Sequence, residues 1–202
     1  FEIYCHQERS DQIINDVISP FLTDFASNIL SWFFIRYNDS GDHLRFRILL
    51  NDKNDSSLLT AGFSQYLKSD LEFGLVSDLQ IKTYKREFER YGSDLIEVVE
   101  KHFYKDSQFV LTLLNDAFND FDKYYLCSLL VDTLLQKDVF DLNTLFNLVK
   151  LLSDAFNQEH QIVANHFKAF NDRYKLYKTD SIKELNPVQY SGFNEFAQSF
   201  TQ

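Results

Sequence analysis

Methionine is missing from the chain altogether, and tryptophan (1), proline (2), cysteine (2) and glycine (5) are scarce. Each shortage closes off a class of protein. With no Met at its start, the sequence is expected to be part of a longer translation product. Five glycines are too few to build phosphate-cradling loops, and no GxSxG, GxGxxG or P-loop pattern occurs. Cys5 and Cys127 share no metal-ligand spacing and lie among apolar residues, the setting of two reduced, buried thiols. The histidines His6, His43, His102, His160 and His166 form no HExxH or comparable ligand pair, so no metal site is expected. No run of about 18 apolar residues exists, so no membrane span is expected. The start, FEIYCHQERS, has neither a basic n-region nor an apolar h-region and does not read as a signal peptide. Together these features suggest the cytoplasm.

Positive charge is also short. Twenty Lys and Arg stand against 30 Asp and Glu, a formal charge of −10, which opposes non-specific nucleic-acid binding as the main activity. What the chain does have is aromatic bulk. Its 21 Phe promise a core rich in large rings, and 202 residues fit one domain or two small intimate ones.

Periodicity divides the chain near Gly92. Phe1 to His6 is β-prone, and Ser10 to Ile18 has a helical stripe of Ile13, Ile14, Val17 and Ile18. Ser19 before Pro20 predicts an N-cap and a restarted helix. WFFIRY (Trp32 to Tyr37) and HLRFRILL (His43 to Leu50) predict two strands joined by the turn cluster Asn38 to Asp42. A helix over Ser56 to Leu71 and a strand over Leu79 to Arg86 follow. The order β-α-β-β-α-β predicts an α+β fold: a split βαβ, ferredoxin-like antiparallel sheet with helices on one face. Residues 1–92 would form this sheet region. Residues 93–202 would form a helical half, compact with the first, with helices over Asp94 to Phe103 (Asp94 and Glu97 as a capping box), Ser107 to Phe118, Tyr124 to Leu135, Leu142 to Phe156 and Gln161 to Tyr177. A loop is expected over Thr179 to Tyr190 and a short helix over Phe193 to Phe200.

The seven arginines are unevenly spread, and four crowd the segments HLRFR and KREFERYG. Strand alternation puts His43, Arg45 and Arg47 on one face and Leu44, Phe46 and Ile48 on the other. On the later strand Gln80, Lys82, Tyr84 and Arg86 would share a face. If the two polar faces coincide, an acidic protein carries one cationic surface suited to carboxylates or phosphates. The alternative is a solvated sheet face balanced by the surplus acids. Gly92 can supply a positive-φ turn after Arg90 and Tyr91.

Three segments carry a family resemblance. WFFIRYNDSGDHLRFRI is similar to a WFFIRY-[S/D]DP-HLRLR signature, with Ser40-Gly41 beside the usual Asp-Pro. TYKREFERYGS resembles a Y-x-x-E-x-x-RYGG segment, and VVEKHFYKDSQFV resembles an AE-x-x-F-x-x-DS helix pair. In this order and spacing they resemble the C-terminal, elimination-type domain of lantibiotic dehydratases, the thiopeptide-type bacteriocin biosynthesis family. The resemblance implies a peptide-modifying module. In such systems one domain uses glutamyl-tRNA to esterify Ser or Thr of a precursor peptide, and the domain resembled here expels glutamate to leave a dehydroamino acid. Stand-alone relatives eliminate glutamate, and others close the pyridine ring of thiopeptides.

The resemblance implies two catalytic arginines, one being Arg45 or Arg47 and the other Arg86 or Arg90, together with a later histidine. His166, in the segment from Asn165 to Arg173, stands nearest the family's HMHxNR stretch, although the HMH pattern is absent. His43 is the alternative imidazole. Tyr84, Arg90 and Arg36 are grouped as substrate-binding, with Tyr84 able to donate to the leaving group. The expected partners are a precursor peptide and a glutamyl-tRNA-dependent glutamylating protein. No cofactor and no direct nucleic acid are called for, and a homodimer is admitted. Cycloaddition of a dehydrated peptide, and leader-peptide binding at an exposed β-edge without catalysis, are the competing readings.

Overall fold

The computed structural model describes residues 1–115, 120–137, 140–159, 161–180 and 192–200. The chain packs as two compact units, Phe1–Ala117 with Gln198–Phe200 in the first and Phe118–Ala197 in the second. The division thus falls after Ala117, not after Gly92.

The first unit is built on four antiparallel strands, β1 (Glu2–Cys5), β2 (Ile29–Tyr37), β3 (His43–Leu50) and β4 (Val76–Gln80), in the spatial order β2-β3-β1-β4. This is the split βαβ order: β3 lies between β1 and β2, the two strands joined by the first helical crossover. The fold is therefore α+β with a ferredoxin-like sheet and a helical C-terminal half, as the alternation and helix spacing predict.

The crossover is continuous. α1 (Ser10–Ile13) passes through a π turn (Ile14–Ile18) into α2 (Ser19–Asp24). Ser19 is helical and caps nothing, so the predicted restart does not occur. The physical reason is the π turn before Pro20. Ser19 N–H donates to the Ile14 carbonyl, and the widened turn makes room for a ring that would clash with a regular helix.

Ile3, Leu44, Phe34 and Phe46 point from the sheet toward these helices and toward α3 (Ser56–Tyr66). Ile13, Ile14, Phe21, Leu59 and Phe63 meet them, all at most 2% exposed. Phe63 is the hub, 5.0 Å from Phe21 edge-on and 5.4 Å from Phe46 between ring centroids. Truncating such a ring costs about 3–5 kcal/mol. Gly62 in α3 lets Phe25 approach, since a Cβ built there would lie 2.5 Å from its ring. After α4 (Lys68–Glu72), β4 ends at Gln80, opposite Glu2, so the strand predicted over Leu79 to Arg86 is shifted toward the N-terminus. Residues 81–87 continue without regular structure into α5 (Phe88–Tyr91), which Gly92 terminates at φ +77°.

α6 (Ile96–Asn115) is one helix where the sequence predicts two. Its contacts with β2 continue across the predicted break, from Phe103 through Tyr104 to Ser107. Asp94 is not its cap; Leu95 accepts the first bond, from Val99. The helix covers the otherwise open edge of β2. The Ser107 hydroxyl, fully buried, accepts from Phe34 N–H at 3.1 Å, while Phe103 packs on Phe33 and Tyr104 meets Trp32.

The second unit contains α7 (Asp120–Gln136), α8 (Leu142–Glu159), α9 (Ala164–Asp180) and the larger part of α10 (Phe193–Ser199). Asp141 caps α8, accepting from the Asn143 and Thr144 amides. Thr179 and Asp180 are helical, correcting the start of the expected loop; 181–190 and His160 lie outside the described residues. Cys5 is buried as expected, but Cys127 is exposed on α7 because it falls off the buried stripe of Leu126 and Leu129. Among the described residues no helix is long and apolar enough to cross a membrane.

Candidate functional site

The β2–β3 register fixes what faces away from the core. Phe33 pairs with Arg47, Ile35 with Arg45 and Tyr37 with His43, so these six share one face. Glu2 joins them through its pairing with Arg45. The segment after β4 crosses in front of this face and closes a cavity of about 650 Å³. Arg45, Arg47, Tyr84 and Arg86 all line it, together with Glu100 from α6. Two separate sequence segments thus bring their guanidinium groups to one cavity in a single unit.

The three guanidiniums differ in what they already hold. Arg45 lies over the Tyr37 ring, its guanidinium carbon 3.7 Å from the centroid; its Nη2 donates to Asp39 at 2.6 Å, and its Nε is 3.4 Å from Glu2. Arg86 forms a two-pronged pair with Glu100, at 3.0 and 2.7 Å, and lies 3.8 Å from Glu97. Arg47 stacks on Tyr84 at 4.2 Å and lies 5.8 Å from Phe33. Among the described residues Arg47 makes no ion pair, and its buried Nε has no hydrogen-bond partner. Burial, then the Arg45 charge, pull the Arg47 pKa below its ordinary value, yet a guanidinium stays charged. An unpaired, partly desolvated cation is costly to keep, and an anion beside it relieves that cost.

Tyr84 is held protonated. Burial, the Glu100 charge and a hydrogen bond to Glu100 raise its pKa to about 12.

His43, Arg36 and Arg90 do not line the cavity, and His166 belongs to the second unit. His43 is buried between Tyr4 and Tyr37. Its Nδ1 donates to the Gly41 carbonyl at 2.7 Å, and its Nε2 accepts from Arg45 Nε at 3.1 Å. This pair of bonds requires the Nδ1–H tautomer and spends the lone pair that a base would use. His166 is exposed in the second unit, where its Nδ1 accepts from Val163 N–H at 3.1 Å and caps α9. Its lone pair too is spent on structure. Arg36 pairs with Asp11 of α1 on the helix side of the sheet. Arg90 is largely exposed, 3.5 Å from Glu87, and does not line the cavity. Lys82 pairs with Glu2 at the rim.

Glu100 and Asp39, the acids paired with Arg86 and Arg45, are neighbours of the cavity arginines that sequence reasoning misses. Glu100 stands in VVEKHFYKDS three residues before Phe103, so the motif is visible in the sequence and the role of this acid is not.

Comparison with known proteins agrees with this architecture. The family model described as "Lantibiotic biosynthesis dehydratase C-term" matches residues 1–202, and the chain belongs to that family. The subtilin biosynthesis protein SpaB of Bacillus subtilis is 38% identical over 114 residues, covering 54% of this chain and 11% of the relative. The nisin biosynthesis protein NisB of Lactococcus lactis subsp. lactis is 35% identical over 186 residues, covering 85% of this chain and 18% of the relative. The chain therefore spans less than a fifth of these relatives. Among solved structures, the tRNA-dependent lantibiotic dehydratase MibB from Microbispora sp. 107891 matches 65% of this chain and 14% of its own at 26% identity, with a TM-score of 0.56. TsrL matches 98% of this chain and 64% of its own with a TM-score of 0.61, a likeness of fold at 14% identity.

Proposed function

We propose that the cavity of the first unit binds a glutamylated Ser or Thr of a precursor peptide and promotes loss of glutamate, leaving a dehydroamino acid. The observation that carries this reading is Arg47: a guanidinium lining the cavity, packed over an aromatic ring and without an ion pair among the described residues. In the elimination a base takes the Cα proton, the Cα=Cβ double bond forms, and the Cβ–O bond breaks with its electron pair leaving on glutamate. Negative charge develops on the enolate-like oxygen and on the departing carboxylate. A preorganised cation in a partly desolvated site stabilises both. A guanidinium packed over a ring face still has its N–H groups to offer a carboxylate. The cavity volume falls within the range of about 300–1,000 Å³ typical of small-ligand sites.

In this reading Arg45 and Arg86 shape the cavity wall rather than receive the leaving group, since both already hold carboxylates. A separate glutamylating partner supplies the ester, in keeping with the tRNA dependence in the name of MibB. The test is to incubate the 202-residue chain with a synthetic precursor peptide bearing a glutamyl ester on Ser, and separately with the dehydrated peptide. Release of glutamate from the first supports the proposal. Consumption of the dehydrated peptide alone would mean cycloaddition, and binding of either without turnover would mean a recognition module.

A further inference from the structure

We propose that Asp39 sets the ligand specificity of the cavity: it holds one edge of the Arg45 guanidinium outside, and only a ligand that brings a second carboxylate draws that edge in. Arg45 and Arg47 together then select a dicarboxylate. The inference rests on reading the cavity as the site of glutamate loss and deepens it. The departing carboxylate falls to Arg47, and the free carboxylate of the glutamyl group to Arg45.

Arg45 and Arg47 stand on one face of β3, about 7 Å apart along the strand, and both line the cavity. The acids around the cavity are held unequally. Glu2, with 12% of its side chain exposed, also binds Lys82 and accepts from the Tyr4 hydroxyl at 3.3 Å. Glu100, 17% exposed, holds Arg86 through both oxygens. Asp39 sits on the turn between β2 and β3 with 52% of its side chain exposed, and it does not line the cavity. Its Oδ2 accepts from Arg45 Nη2 at 2.6 Å. Its Oδ1 accepts from the adjacent Ser40 hydroxyl at 3.3 Å and lies 3.7 Å from His43 Nε2.

The inner end of the Arg45 guanidinium is fixed. Its Nε donates to His43 Nε2 at 3.1 Å and lies 3.4 Å from Glu2, and its carbon packs over the Tyr37 ring. A guanidinium anchored at Nε keeps its outer nitrogens for a further acceptor, and here one of them goes to Asp39. An exposed ion pair of this kind is weak, because water competes for both partners. Glutamate carries two carboxylates a short chain apart. With one on Arg47, the other is brought to Arg45 and can replace Asp39 there. Glutamine has a single carboxylate, and once that is on Arg47 it has no anion with which to displace Asp39. The turn acid thus acts as a competitor that discriminates against monocarboxylates.

The 202-residue chain and its Asp39→Asn variant are titrated by calorimetry with L-glutamate and with L-glutamine. The wild type is expected to prefer glutamate. Asp39→Asn is expected to bind glutamate about twofold to fivefold more tightly, the scale of an exposed ion pair, and glutamine no more tightly than before. Arg45→Gln is expected to lose the preference for glutamate. Adding Asp39→Asn to Arg45→Gln is expected to change nothing further, since the turn acid acts only through Arg45. Melting temperatures check that each variant is folded.

Glutamate affinity that is unchanged or weakened in Asp39→Asn would make Asp39 a brace of the turn and overturn the inference. Equal tightening toward glutamate and glutamine overturns it as well, because the ligand would then be feeling a lost negative charge and not the release of Arg45. A gain that persists in the double variant has the same consequence. A chain that binds no glutamate, with or without Asp39, contradicts the inference even if a glutamyl-ester peptide is turned over. Binding with the expected pattern but no release of glutamate from the ester sinks the elimination reading and leaves the selection by Asp39 and Arg45 standing.

Discussion

The Arg47 guanidinium carbon lies 4.2 Å from the centroid of the Tyr84 ring, joining β3 to a segment that shares no strand ladder with the sheet. The cavity between them exists because side chains, rather than backbone bonds, hold its outer wall: Arg47 on Tyr84, Arg86 on Glu100 and Lys82 on Glu2. A wall held this way is sensitive to single substitutions and to ionisation.

Ionisation of Tyr84 is one such sensitivity. Its folded-state pKa is raised from 10.0 to about 12, so the fold favours the protonated phenol. That contribution is complete below pH 10 and is lost as pH rises through about 12. Chemical denaturation as a function of pH should therefore show an alkaline loss of stability that is smaller in Tyr84→Phe. Identical alkaline profiles for the two proteins would contradict the assignment.

Ser107 should matter for stability rather than for binding. Ser107→Ala leaves the Phe34 N–H buried without its acceptor, a loss of about 1–3 kcal/mol in urea unfolding. A loss within experimental error would mean that α6 does not seal the edge of β2.

Gly62→Ala should reverse the usual sign for a helix. An exposed Gly to Ala change in a helix interior gains about 0.5–1 kcal/mol, but here the new Cβ would sit 2.5 Å from the Phe25 ring. The melting temperature is expected to fall, and a rise would show that Phe25 yields without cost.

Much of this is legible in the sequence, for identifiable reasons. The strand alternation in HLRFR places Arg45 and Arg47 opposite Leu44 and Phe46 because the core takes every second residue, and the register has that arrangement. The end of β4 is not legible, because Ile81 and Thr83 continue the alternation after Gln80, where the ladder with β1 has ended. The π turn is hidden because Ser19-Pro20 has the same spelling at a helix start and inside a helix that widens to admit the ring. Glu100 is hidden for a deeper reason. Its neighbours on α6 mark it only as a helical surface acid, and its meaning depends on a segment arriving from fourteen residues upstream.

The histidines carry the same lesson. His43 stands beside two arginines in sequence and invites a catalytic reading, yet both of its ring nitrogens are occupied. His43→Gln can still accept from Arg45 Nε, whereas His43→Asn can replace only the donor to Gly41. Glutamate release is therefore expected to survive better in the Gln variant than in the Asn variant. Nitrogen-15 NMR of the wild-type imidazole should show the Nδ1–H tautomer; an Nε2–H ring would contradict the bond to Arg45.

Arg47 decides the account most directly. Arg47→Gln removes the unpaired guanidinium and keeps most of the side chain, and it is assayed on a glutamyl-ester peptide by mass spectrometry against the wild-type chain. Loss of one preorganised charge-stabilising donor costs about 10²–10³ in rate, so glutamyl adducts should persist where the wild type has cleared them. Dehydrated product appearing at the wild-type rate would contradict the claim that this cation stabilises the departing glutamate.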